Sequence, residues 1–129
     1  MAALGVGLAA TDRLDDVLRA AGARPKPRPD ARDIALAGVA RAEADRLVEI
    51  ARAEDAPKTI VTVLEAQAAG LPRTDRKAAV DGPLATACGS MADRRAKDAI
   101  AARSSDLAVV LGSLSAGLAQ VSAVLKADR

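Results

Sequence analysis

Nineteen consecutive residues without a charge, Leu107 to Leu125 (LAVVLGSLSAGLAQVSAVL), constrain this chain more than any other stretch. Asp106 and Lys126 bound it. Leu107, Leu111, Leu114, Leu118, Val121 and Leu125 recur at steps of four, three, four, three and four. That spacing aligns six large side chains on one stripe of an α-helix, and Val110 and Val124 widen it. The other side carries Ala108, Gly112, Ser115, Ala116, Ala119 and Ala123, small enough for neighbouring backbones to come close. A helix apolar or small all round is expected to be buried on more than one side. The stretch therefore reads as the central helix of an all-α bundle. Gln120 and three serines make it a borderline membrane span, and amphipathic partners elsewhere in the chain favour burial in the protein.

Those partners follow from cap and stop signals. Asp30 is placed to cap a helix running to about Ala56, before Pro57. Leu36, Val39, Ala40, Leu47, Ile50 and Ala51 lie near one stripe of it, with Glu43 between Ala40 and Leu47. Thr59 to Val63 is β-branched and strand-like by composition, yet Ile60, Val63, Leu64 and Ala68 keep helical spacing. Pro57 suits a first turn and Gly70 a stop, so 58–69 is predicted as helix. Leu71-Pro72 then sets a short turn over 70–74. A third helix is predicted over 75–103, kinked or broken near Asp81 by Gly82-Pro83. Its inward positions are Leu84, Cys88, Met91 and Ala92, Ala96 and Ala99, with Asp93, Arg94, Arg95, Lys97 and Asp98 facing water. Ser104 or Ser105 caps the closing helix, 106–127. Short connections make consecutive helices antiparallel neighbours.

Residues 1–29 form a separate unit ahead of the 30–129 bundle. MAALGVGLAA is about half a membrane span and resembles the apolar region of a signal peptide, without the positive start. It leaves envelope, secreted and cytoplasmic locations all open and gives a route to membrane association. Thr11 to Ala21 reads as a short amphipathic helix, with Leu14, Val17 and Leu18 on its apolar face and Gly22 as its stop. GARPKPRP reads as a stiff polyproline-like spacer.

Composition removes several function classes. The chain of 129 residues has no His, hence no Ser-His-Asp or Cys-His catalysis and no imidazole metal ligand. It has no Phe, Tyr or Trp, so no platform for stacking single-stranded bases. A net charge of +2 is too weak for a phosphate-binding surface, and no nucleic-acid partner is expected. The single Cys88 reads as a small buried hydrophobe beside Met91.

The remaining candidate chemistry is a carboxylate metal site. The chain has only four Glu, Glu43, Glu49, Glu54 and Glu65. Glu43 and Glu65 are placed to point inward from adjacent antiparallel helices, but two carboxylates supply too few oxygens for Mg²⁺ or Mn²⁺. The simpler reading pairs Glu43 with an Arg. No catalytic residue and no cofactor are expected.

Two stretches resemble known proteins. GLAATDRLDDVLR resembles the start of bacterial lipoproteins, in which Leu-Ala-Gly-Cys precedes Asp and a short helix; Thr11 stands in place of that Cys. RSSDLAVVLGSLSAGLAQVSAVL is similar to the closing helix of small ferritin-like helical lipoproteins of GC-rich bacteria. Those usually carry a His after the Gln, where this chain has Gln120-Val121. The resemblance implies a four-helix, up-down, ferritin-like bundle at the cell envelope, and it carries over no catalytic residue. The expectation is a non-catalytic structural or interaction protein, with a degenerate carboxylate metal protein as the alternative. The expected partner is another protein or a second copy, met through apolar helical faces, because the Ala-rich core contributes little area per residue.

Overall fold

The computed structural model describes residues 30–128, and every described element is helical. The readings of 1–29 lie outside the described residues. Four helices follow in order: α1 (Ala31–Ala53), α2 (Lys58–Ala69), α3 (Leu84–Ala101) and α4 (Ser105–Ala127).

Local chemistry sets most helix ends. The Asp30 carboxylate accepts the Arg32 N–H at 2.7 Å and starts α1. α1 stops at Ala53, short of the expected Ala56, because Asp55 takes a left-handed φ of 55°. The Ala56 N–H then reaches back to the Ala51 carbonyl and the Asp55 N–H to Arg52, closing the last turn. Pro57 opens α2 and Gly70 ends it. The Ser104 hydroxyl accepts the Leu107 N–H at 3.3 Å and starts α4.

Cross-helix bonds give the directions. Arg52 of α1 meets Glu65 of α2, and Arg41 meets the Leu71 carbonyl just beyond α2, so these helices run oppositely. Asp33 and Glu43 of α1, and Glu54 just after it, meet Ser104, Arg94 and Leu84, so α1 also opposes α3. The Ser115 and Ser122 hydroxyls of α4 donate to the Ala92 and Ala85 carbonyls of α3, both at 2.7 Å, fixing an antiparallel hairpin. Gly89 belongs to that close approach, since a β-carbon there would sit 3.3 Å from Ser122 Oγ.

α2 and α3 therefore point the same way, against the expected up-down order in which consecutive helices are antiparallel, and the segment between them must return along the bundle. This corrects the expected third helix over 75–103: residues 71–83 are not helical, and the helix begins only at Leu84. Leu71 and Val80 are buried anchors of the segment. Arg41 Nη1 donates to the Leu71 carbonyl at 2.7 Å, and Arg46 Nε to the Val80 carbonyl at 3.0 Å. Those arginines supply the backbone partners that a helix would have supplied internally. At the segment's end, Glu54 Oε2 accepts the Leu84 N–H at 2.8 Å and caps α3 from across the bundle. Gly82 makes room for that carboxylate, because a β-carbon there would fall 2.6 Å from it.

The core has two apolar parts. One joins Leu47, Ile50, Leu64, Leu84, Cys88 and Met91 with Leu118 and Val121. The other joins Ala40, Leu71, Val110, Leu111 and Leu114. α4 presents its leucine stripe to both, but it is not the central helix its sequence suggests. Ala116, Ala119 and Ala123 are exposed, and of the small residues on that side only Ser115 bonds to α3. A helix joined to α3 by so short a turn packs closely on one side and leaves the other to water.

Candidate functional site

Between the two apolar parts lies a polar layer contributed by three helices. Glu43 on α1 falls between Ala40 and Leu47, Gln67 on α2 between Leu64 and Leu71, and Arg95 on α3 follows Met91 by one turn. Their exposures are 6%, 8% and 3%. Each occupies a position that its helix otherwise fills with an apolar residue.

Arg95 is the main departure from the sequence reading, which placed it in water. Its guanidinium meets Glu43 Oε2 at 3.4 Å through Nη1 and Asp98 at 2.9 Å through Nη2. Arg94, at the surface, reaches Glu43 Oε1 at 3.4 Å. Ala96, expected to face inward, is exposed instead. The signal for Arg95 was in the spacing: Leu84, Cys88, Met91 and Arg95 advance by four, three and four. Charge alone had assigned it to the solvated face.

The two candidate metal ligands part company. Glu43 points inward onto two guanidinium groups. Glu65 lies on the surface of α2 and pairs with Arg52 at 3.0 Å. Glu65 therefore corrects the inward expectation, while Glu43 takes the Arg-paired alternative. Among the described residues, no group of three or more His, Cys, Asp or Glu side chains is placed to hold a metal ion. An open depression of about 350 Å³ at the α1–α2 turn is lined by Arg52, Lys58, Thr62 and Glu65, and the Arg52–Glu65 pair belongs to its wall.

Cys88 is fully buried on α3. Burial, with a smaller contribution from the nearby negative charge of Glu54, pushes its thiol from 9.0 up to about 11. That disfavours the thiolate, the form that attacks as a nucleophile and binds metals.

The outward face of α4 is the other unusual feature. Val109, Ser113, Ala116, Ala119, Gln120, Ala123 and Val124 are all exposed, and none carries charge. Val109 and Val124 are 64% and 49% exposed. A β-carbon added at Gly112 would meet nothing within 4 Å. By length and composition, α4 is the one helix among the described residues able to cross a membrane, at a mean hydropathy of 1.8. Its leucines face inward, however, while Ala116, Ala119, Ala123, Val109 and Val124 face outward.

No family model, no curated protein and no solved structure matches the chain. The likeness to ferritin-like helical lipoproteins thus rests on the sequence stretches quoted above.

Proposed function

We propose that this chain is a non-catalytic helical-bundle interaction protein that pairs with a second copy of itself through the outward face of α4. The observation that carries the reading is that face, which is uncharged from Val109 to Val124. Covering it removes apolar area from water without burying a charge. Small residues at its centre favour another helix over a lipid surface, because they let backbones approach and offer acyl chains little. The face is also self-complementary. An antiparallel pairing about a twofold axis at Ala116 sets Val109 level with Ala123 and Ser113 level with Ala119. It sets Asp106 of one helix level with Lys126 of the other, and it opposes the two helix dipoles.

The connectivity supports a ferritin-like arrangement as the finer fold. Such bundles have one long crossover, and here the segment between Gly70 and Pro83 runs back along α1. The apolar start of the sequence and its likeness to lipoproteins support an envelope setting. The degenerate metal-protein reading has no comparable support, since Glu43 and Glu65 are each held by arginine.

Sedimentation velocity of the full chain tests the pairing. The wild type should run as a dimer at high micromolar concentration. Ala116→Glu, which places a charge at the axis, should run as a monomer with unchanged circular dichroism. A monomeric wild type at all concentrations would end the reading.

A further inference from the structure

We infer that the polar layer of the bundle is a binding site for one ordered water molecule, held by Glu43, Arg95 and Gln67. A cavity of about 10 Å³ lies at this level, walled by Leu47, Leu64, Met91 and Leu114 and touched by all three polar side chains. Roughly 10–15 Å³ by this measure is what a single water needs. No organic ligand or hydrated ion fits such a space.

The side chains ask for a partner. Glu43 Oε2 and Arg95 Nε are buried without any hydrogen bond. The 3.4 Å contact between Arg95 Nη1 and Glu43 Oε2 attracts by charge but lacks hydrogen-bond geometry. The other atoms of the pair are engaged, Glu43 Oε1 by Arg94 and Arg95 Nη2 by Asp98. Among the fully buried side-chain atoms, what is left over is one acceptor and one donor, both on charged groups. Leaving such groups bare costs more than immobilising a water.

A water satisfies both at once. It donates one O–H to Glu43 Oε2 and accepts the Arg95 Nε–H. The Gln67 amide supplies a third partner, within the two to four that buried waters make. Gly117 on α4 leaves room for that amide, since a β-carbon there would lie 2.6 Å from Gln67 Nε2. The layer is thus a bridged network in which each polar member has a role.

A high-resolution crystal structure of the full chain tests this directly. The expected result is one density peak within hydrogen-bond distance of both Glu43 Oε2 and Arg95 Nε. In solution, a long-lived water should give nuclear Overhauser effects to the Leu64 and Leu114 methyls. These should vanish in the Glu43→Leu/Arg95→Met double variant and persist in the surface variant Glu65→Gln. An empty site with Arg95 Nε bonded directly to a protein atom would overturn the assignment. So would water contacts that survive in the double variant. If that variant does not fold, the wild-type density and methyl contacts decide alone.

Discussion

Glu43 and Arg95 face each other across the bundle at 3.4 Å, one from α1 and one from α3, both almost wholly buried. Burying two charges is costly, and their attraction offsets the cost only while both are present. The pair sits between the two apolar clusters.

Removing one partner should therefore hurt more than removing both. Arg95→Met leaves Glu43 buried and should cost about 3 kcal/mol, the low end for a broken buried pair because Arg94 still reaches the carboxylate. The Glu43→Leu/Arg95→Met double variant should recover most of that loss. Urea denaturation of the two variants and the wild type checks the order. A double variant less stable than Arg95→Met would contradict it.

A second carboxylate ties the other end of α1 to the α3–α4 turn. Asp33 is 4% exposed and accepts the N–H groups of Arg103 and Ser104 at 2.9 and 2.8 Å. Asp33→Ala leaves both donors without a partner and should cost about 2–3 kcal/mol. Asp33→Asn keeps one acceptor and should cost about half as much. Amide hydrogen exchange at Arg103 and Ser104 should speed up first, before that of the helix interiors. Unchanged exchange at these two amides would show that the turn is held by something else.

These carboxylates show where the sequence was legible and where it was not. Helix starts at Ala31 and Lys58 followed from Asp30 and Pro57, and a cap at Ser104 or Ser105 put the last start within one residue of Ser105; all are local effects. The inward faces at Leu47, Leu64, Cys88 and Leu118 followed from period alone. The missing helix before Leu84 was not readable, because Thr74 to Val80 has acceptable helix formers. What holds it extended is distant: Arg41 and Arg46 taking its carbonyls. Arg95 was misplaced for a related reason. Its burial depends on Glu43, many positions away in the sequence, and a single helix cannot show such a partner. The open face of α4 depended on how few neighbours a four-helix arrangement provides.

Cys88 gives the fold an alkaline limit. Its thiol is raised from 9.0 to about 11 by burial and by Glu54. The folded state favours the protonated thiol, so this contribution is complete below about pH 9. It is lost as pH rises towards about 11, where the unfolded chain gains from ionising first. At about 1.4 kcal/mol per pH unit, the loss is about 2–3 kcal/mol. The stability difference between wild type and Cys88→Ala should shrink by about 2 kcal/mol between pH 9 and pH 11. The native thiol should also resist alkylation at neutral pH. Rapid labelling of folded protein would contradict the burial.

Antiparallel pairing of α4 with its copy about Ala116 is probed by disulfide capture. With Cys88 replaced by alanine, a single Ala116→Cys places two thiols at the twofold axis. Mild oxidation should give a covalent dimer in high yield. Ser90→Cys, exposed on α3, should give almost none. Equal, low yields from the two positions would contradict the claim.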